Sequence, residues 1–434
     1  MPKSSNRIYY AIQGLQLQGV NGPGIDSGSP EAVSAWETVT GVQSVGISTN
    51  FNLENVFQLG EFDQYDVLDD NPEIEVTVNK VIDYRYPLYV LAMGGNGKTT
   101  TGQNILALAS RRCNARLFVG NDIDFQNVSG AMPYRVEMTG MYLSSFTYNL
   151  VTDGNFTEEV TLVGNNKVWL ANSASLTANT LPGSASDGVL PPAPGTAFGG
   201  AFNNLRATGI ARRQNIDLSK SVLPSGLTSW DGGIIVPYDG SKYVTPHITS
   251  LTISCDLGRE PLNELGNRNP YTRLVTVPLE VTSEFEVLAT DYDVSATNFA
   301  EAKCNAGLRN GRKRAILLRI CGPTLEGDAG GMNFYLGTNN RLTSVNYSGG
   351  DTGGGNVTIT YSFTGYNTCF INQGTEIYSS IASAPYLGSQ NNPCGRTVSG
   401  LGTATITVAE NGTGTAGNNG PGSTGTGTYS GAGS

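Results

Sequence analysis

Among 434 residues there is a single histidine, His247. One imidazole without partners removes most histidine-based metal sites and acid–base pairs at once, and Val244-Thr-Pro-His-Ile248 reads as an ordinary strand. Cysteine is scarce too. Cys113, Cys255, Cys304, Cys321, Cys369 and Cys394 lie far apart with no C-x-x-C pair, so zinc spacing is missing. Charged residues make up only 14% and the formal charge is −10, which leaves no surplus of Lys and Arg to grip a phosphate backbone. No long apolar run follows Met1-Pro-Lys-Ser-Ser-Asn-Arg7, so neither an export signal nor a membrane span is expected. Scattered cysteines then fit synthesis in a reducing cytoplasm. No catalytic residue, metal ligand or cofactor is assigned, and no enzyme activity is expected.

What the chain does hold is glycine, 56 residues of it, with abundant Thr, Asn and Ser, a composition that suits strands and turns. An all-β or β-rich fold is expected. A shift of 206 residues aligns Ser44-x-x-Ile47-Ser48 with Ser250-x-x-Ile253-Ser254, Glu54 with Glu260, Leu59-Gly60 with Leu265-Gly266, Tyr65 with Tyr271, and Pro72 with Pro278. Those are eight identities where chance gives about two. Further on, Arg116–Val119 resembles Arg314–Leu317, Tyr142–Tyr148 resembles Arg341–Tyr347, and Gly164-x-Asn166 falls on Gly365-x-Asn367.

The expected organisation is an N-terminal segment 1–39, one domain over 40–171, a Pro/Gly/Ser-rich connecting arm 172–245, a second copy over 246–372, and a C-terminal segment 373–434 with a Gly/Thr-rich tail. Alternation predicts long half-buried strands over Glu73–Ile82 and Leu274–Leu288. Asp153-Gly154 reads as a hairpin turn, with Gly353–Gly355 in the same place in the second copy. The tail carries one strand, Thr403–Val408, and then loses any pattern.

One stretch imitates a nucleotide site. Gly94, Gly95, Gly97, Lys98 and Thr99 follow an apolar run, Pro87–Ala92, that could be a strand. The phosphate-loop motif wants glycine where Ala92 stands, however, and the second copy has no Gly-Lys-Thr and is shorter there. A loop that contacts a neighbouring subunit is the expected role, with a phosphate-binding NTPase as the remote alternative. A basic cluster, Arg309–Arg314, reads as a solvated turn or a salt-bridging patch. Opposite in sign, Glu61, Asp63, Asp66, Asp69, Asp70, Glu73 and Glu75 crowd one stretch without a partner base, and are expected to form an acidic surface.

Gly41–Gly60, Pro72–Val78 and Gly154–Trp169, with Ile248–Gly266 in the second copy, resemble virion structural proteins of tailed bacteriophages, tail tube proteins in particular. The resemblance covers most of both copies and neither the arm nor the tail. It implies two tandem β-sandwich or barrel domains, each with a short helix, that self-assemble into rings of three or six, and rings that stack into a conduit for the genome. It implies an acidic inner wall over which DNA passes without tight binding, since like charges repel. Other tail proteins, such as the tape measure and the sheath, would be partners, and the phage tail the location after synthesis in the host cytoplasm. The alternative is another virion component: a baseplate hub, a capsid decoration or a receptor-binding protein.

Overall fold

A computed structural model describes residues 14–20, 36–60, 62–84, 87–93, 104–119, 134–171, 209–216, 248–266, 270–289, 313–320, 332–349, 356–373, 405–409 and 424–428. In chain order the elements begin with β1 (Gly14–Val20), β2 (Glu37–Thr38), β3 (Val42–Asn50), β4 (Leu53–Phe57), β5 (Gln64–Asp69) and β6 (Glu73–Val81). Two short helices follow, α1 (Leu88–Met93) and α2 (Ile105–Leu108), then β7 (Arg112–Val119), β8 (Tyr134–Val151), β9 (Thr157–Gly164) and β10 (Asn166–Ala171). The remainder is β11 (Ile248–Asp256), β12 (Arg259–Leu262), β13 (Thr272–Val275), β14 (Glu280–Leu288), β15 (Lys313–Arg314), β16 (Leu317–Ile320), β17 (Met332–Tyr335), β18 (Asn340–Ser348), β19 (Thr358–Tyr366), β20 (Phe370–Gln373), β21 (Thr405–Ala409) and β22 (Thr424–Thr428). The fold is all-β, and every strand pair among the described residues is antiparallel.

Alternation decides which face goes inward. In β6, Ile74, Val76 and Val78 are buried while Glu75 is exposed, the period of two that a one-sided sheet requires. The central strand β8 has 18 residues, roughly 60 Å of extended chain, more than one layer can use. Bulges opposite Cys113/Ala115 and within Leu143/Ser145 accompany its change of partners. Its first part runs between β7 and β10, and its last part between β9 and β11.

Residues 40–171 and 246–372 repeat one pairing scheme. The order β3-β6-β9-β8 in the first half returns as β11-β14-β19-β18 in the second, and the β4-β5 hairpin returns as β12-β13. Registers agree as well. Ser44 faces Asn79 where Ser250 faces Glu286, with a bulge just before each, and Ile74 faces Gly164 where Val281 faces Gly365. A β-carbon on Gly164 would stand 2.4 Å from Met141 Sδ, and one on Gly365 would stand 2.4 Å from Asn340 Oδ1. In each Gly-x-Asn stretch the glycine therefore leaves room for a side chain packed over it.

Copy-to-copy alignment from sequence slips in one place. Arg116 pairs with Glu137 as Leu317 pairs with Tyr335, so Arg116–Val119 corresponds to Leu317–Ile320, three residues beyond the stretch that resembles it. Three further expectations change. The long strand over Leu274–Leu288 is broken after Val275, because Pro278 cannot donate to a ladder. Pro87–Ala92 does not form a strand: Leu88–Met93 is helix α1. In the tail, β21 matches the expected strand, but Thr424–Thr428 pairs with it as a second strand, Gly and Thr alternating. His247 and the Gly353–Gly355 turn lie outside the described residues, as does 290–312, where a helix of the second half would fall.

The two halves share one hydrophobic core. The last part of β8 pairs with β11 along seven residues, Ser250 facing Val151 through Asp256 facing Ser145, so the sheets of the two halves run on as β3-β6-β9-β8-β11-β14-β19-β18. Side chains stitch the same join. Arg259 Nε donates to Leu143 O at 2.7 Å, and Arg273 Nη1 donates to Glu73 Oε1 at 2.8 Å. The N-terminal segment adds β1 to β7, and β2 to β1. From the connecting arm, Ala211 is wholly buried, its N–H on Ile82 O and its carbonyl on Phe156 N.

Candidate assembly surfaces

Gly94, Gly95, Gly97, Lys98 and Thr99 lie outside the described residues, but both flanks of their loop are fixed. The first flank rests on Glu158, a buried carboxylate on β9 that accepts from Leu88 N at 2.9 Å, Tyr89 N at 3.1 Å and Tyr148 Oη at 2.6 Å. It supplies acceptors to the amide donors that a helix start leaves open. Burial raises the Glu158 pKa, and nearby Lys80, the Tyr148 hydroxyl and the two amides pull it back down. Lys80 in turn holds Asp83 at 3.0 Å, and Asp83 accepts from the Thr40 hydroxyl. The second flank is tied to the other half of the chain. Asn104 Nδ2 donates to Asn367 O at 2.8 Å, and Asn104 Oδ1 accepts from Cys369 N at 3.1 Å. A phosphate loop needs a strand before it and a long helix after it, whereas α1 precedes this one and the four-residue α2 follows.

The acidic stretch divides in two. Asp63, Asp66 and Asp70 are exposed on or beside the β4-β5 hairpin, and Asp69 ends β5. Glu61 lies outside the described residues. Glu73 and Glu75 belong elsewhere, on the solvent face of β6. Following the registers across the eight-stranded sheet puts Glu159, Asp256, Glu280, Glu284 and Glu286 on that same face. The rest of the face is mainly hydroxyl and amide: Ser48, Thr77, Thr161, Thr147, Ser254, Thr282 and their neighbours in line. Neutral donors satisfy several of the carboxylates. Ser250 Oγ donates to Glu286 at 2.9 Å, Ser362 Oγ to Glu284 at 3.3 Å, and Asn79 Nδ2 to Glu159 at 3.3 Å. Cations occur only at its margins among the described residues, as Arg273 on Glu73 and Arg341 at the start of β18. Hydrogen bonds from neutral groups leave the negative charge in place.

A third surface was only partly visible in sequence. At the hairpin tips Leu59 and Leu265 are fully exposed, each followed by a glycine with the same left-handed backbone, φ 92° at Gly60 and 91° at Gly266. Tyr65, on β5, is more than half exposed and Tyr271, just before β13, is half exposed, and Phe57 and Phe62 add apolar area to the first tip. These are residues that the two halves share, yet they add nothing to the chain's own core. Large apolar side chains grouped in the open mark contact surfaces. The carboxylates beyond Glu75 were missed because they lie in three strands far apart in sequence, Glu159 in β9, Asp256 in β11 and the other three in β14, and join only through the pairing of the sheet.

No three His, Cys, Asp or Glu side chains converge on a metal-sized point among the described residues. No helix there is long and apolar enough to cross a membrane. A scan against protein-family models finds no match, and a search of curated proteins finds none either.

Proposed function

We propose that the protein is a structural virion component that assembles with itself into rings, and that the rings stack into the tube of a phage tail. The observation that carries the reading is the solvent face of the eight-stranded sheet: broad, hydroxyl-rich and studded with carboxylates whose neighbours are neutral. Such a face repels a polyphosphate and, among the described residues, carries cations only at its margins, which suits the wall of a channel for DNA. The exposed Leu-Gly tips support assembly, since each offers the same apolar group to a neighbour. The repeated registers and bulges support descent of 40–171 and 246–372 from one domain, so that a ring of chains presents twice as many equivalent units. On this reading the acidic wall faces the channel, and the 94–99 loop and hairpin tips meet other subunits. Negative-stain microscopy of the concentrated protein should show rings or tubes, and antibody-gold should decorate virions along the tail. A protein that stays monomeric, or gold confined to capsids or tail tips, overturns the proposal.

A further inference from the structure

Lys80 and Glu158 face each other across β6 and β9, and Asp83 follows three residues on, with Lys80 Nζ 3.0 Å from Asp83 Oδ1. All three are shut away from water: Lys80 is 2% exposed, Asp83 1% and Glu158 0%. The second half builds the same ladder without them. Val287 stands where Lys80 does, and it faces Ile359, which stands where Glu158 does. Two aliphatic side chains are therefore enough for this place in the sheet, whereas ions taken out of water carry a heavy desolvation penalty. The start of α1 accounts for Glu158. It does not account for an amine and a second carboxyl set beside it.

We propose that Lys80 and Asp83 condense into an isopeptide bond within the folded chain, with Glu158 carrying the proton that the condensation must move. The reaction begins from the ion pair. One proton passes along the 3.0 Å hydrogen bond from Nζ to Oδ1, leaving an amine and a carboxylic acid, the neutral forms that a dry site favours over two ions. The Nζ lone pair then attacks Asp83 Cγ, one bond beyond Oδ1 and close to the separation of a near-attack pair. Glu158 takes a second proton from Nζ and gives it to the departing hydroxyl. The Cγ–O bond breaks, and the products are one amide and one water. No oxidant or co-reactant is consumed, and Glu158 ends as it began.

The surroundings suit that step. A carboxylate has about four lone-pair sites, so the three donors on Glu158, Leu88 N, Tyr89 N and Tyr148 Oη, leave it room for a proton. Burial raises its pKa, which fits a group that must both take a proton and return it. The Thr40 hydroxyl donates to Asp83 Oδ2 and so draws electron density from Cγ. Phe146 packs against both tyrosines, its ring centroid 5.4 Å from Tyr89 and 5.8 Å from Tyr148, and all three rings are buried. Water excluded in this way cannot hydrolyse the amide once it forms. The link closes a small ring where the chain leaves β6 and fixes the corner that leads to α1. It stands whether or not the chains build a tube.

Mass spectrometry of the full chain tests this. After allowance for removal of Met1, the natural protein should be lighter than its sequence by the mass of one water. Trypsin should also spare the bond after Lys80, because an amide-linked lysine is not cut. Lys80→Arg should restore both the full mass and the release of Val81–Arg85. Asp83→Asn should close the same bond with loss of ammonia in place of water. Glu158→Gln keeps the shape of the side chain and loses the relay, so linking followed during cell-free synthesis should slow by about a hundredfold or more. A natural chain of full sequence mass, folded by circular dichroism and cut after Lys80 once denatured, overturns the proposal, and it does so whatever the stability of the variants. A water loss that persists in Lys80→Arg also overturns it, since the loss then lies elsewhere, as at Asp153-Gly154. Linking at the natural rate in Glu158→Gln removes Glu158 from the step.

Discussion

Position for position, Glu158 in the first half and Ile359 in the second occupy one place, the second residue of β9 and of β19, each turned into the core. The same strand order thus tolerates a buried carboxylate in one half and a plain aliphatic in the other. The difference lies in what each must hold. Glu158 faces a helix start and the Tyr148 hydroxyl, so its charge has donors waiting; Ile359 faces Tyr347 and Val287. The sheet is the common element, and the packing above it is specific to each half.

The sharpest way to break that comparison is Glu158→Ala. It strands two helix amides, a tyrosine hydroxyl and the Lys80–Asp83 pair in a dry core, and should cost about 3–5 kcal/mol in urea unfolding, the range for breaking a buried ionic network. A loss under 1 kcal/mol would mean that water reaches the site. Next in size are the paired glycines. Gly365→Ala drives a methyl into Asn340, whose side chain is buried and donates to Gly337 O at 3.0 Å, and about 1–3 kcal/mol should be lost. Gly164→Ala meets the sulfur of Met141, a side chain that can swing, so its loss should be smaller. Equal losses would show that the backbones, and not the facing side chains, set the clearance.

A pH series sharpens the comparison further. Burial raises the Glu158 pKa above that of the unfolded chain. Such a carboxyl contributes stability that is full below the ordinary carboxylate range and is lost as pH rises through its folded value. The advantage of the natural chain over Glu158→Gln should therefore shrink from about pH 4 upward, because Gln does not titrate. An advantage that grows with pH would mean that Lys80 and the amides outweigh burial.

Much of this fold was legible in the sequence because its signals are local. Period-two alternation located β6, and Asp153-Gly154 turns the chain between β8 and β9, with Gly154 at φ 147°. The identities Leu59-Gly60 and Leu265-Gly266 pointed to a repeated feature without saying that it was exposed. What stayed hidden was relational. Nothing in Pro87–Met93 announces that a carboxylate seventy residues later will hold it as a helix, and an apolar run of that length fits strand or helix equally. The acid-bearing face needed the registers of five strands, β6 through β9, β8 and β11 to β14, before Glu75, Glu159, Asp256 and Glu284 came onto one surface.

That face carries the smallest expected effect. Glu284→Gln keeps an acceptor for Ser362 and removes one exposed charge, so stability should move by no more than about 0.5 kcal/mol. Glu280→Lys, Glu284→Lys and Glu286→Lys together reverse the sign over one end of the sheet without touching the core. If the carboxylates serve the surface and not the fold, this triple variant unfolds within about 1 kcal/mol of the natural chain while its retention of double-stranded DNA rises at low salt and falls away as salt is added. A large loss of stability without DNA retention would place these side chains in the service of the fold, and the case for a channel wall would lose its main support.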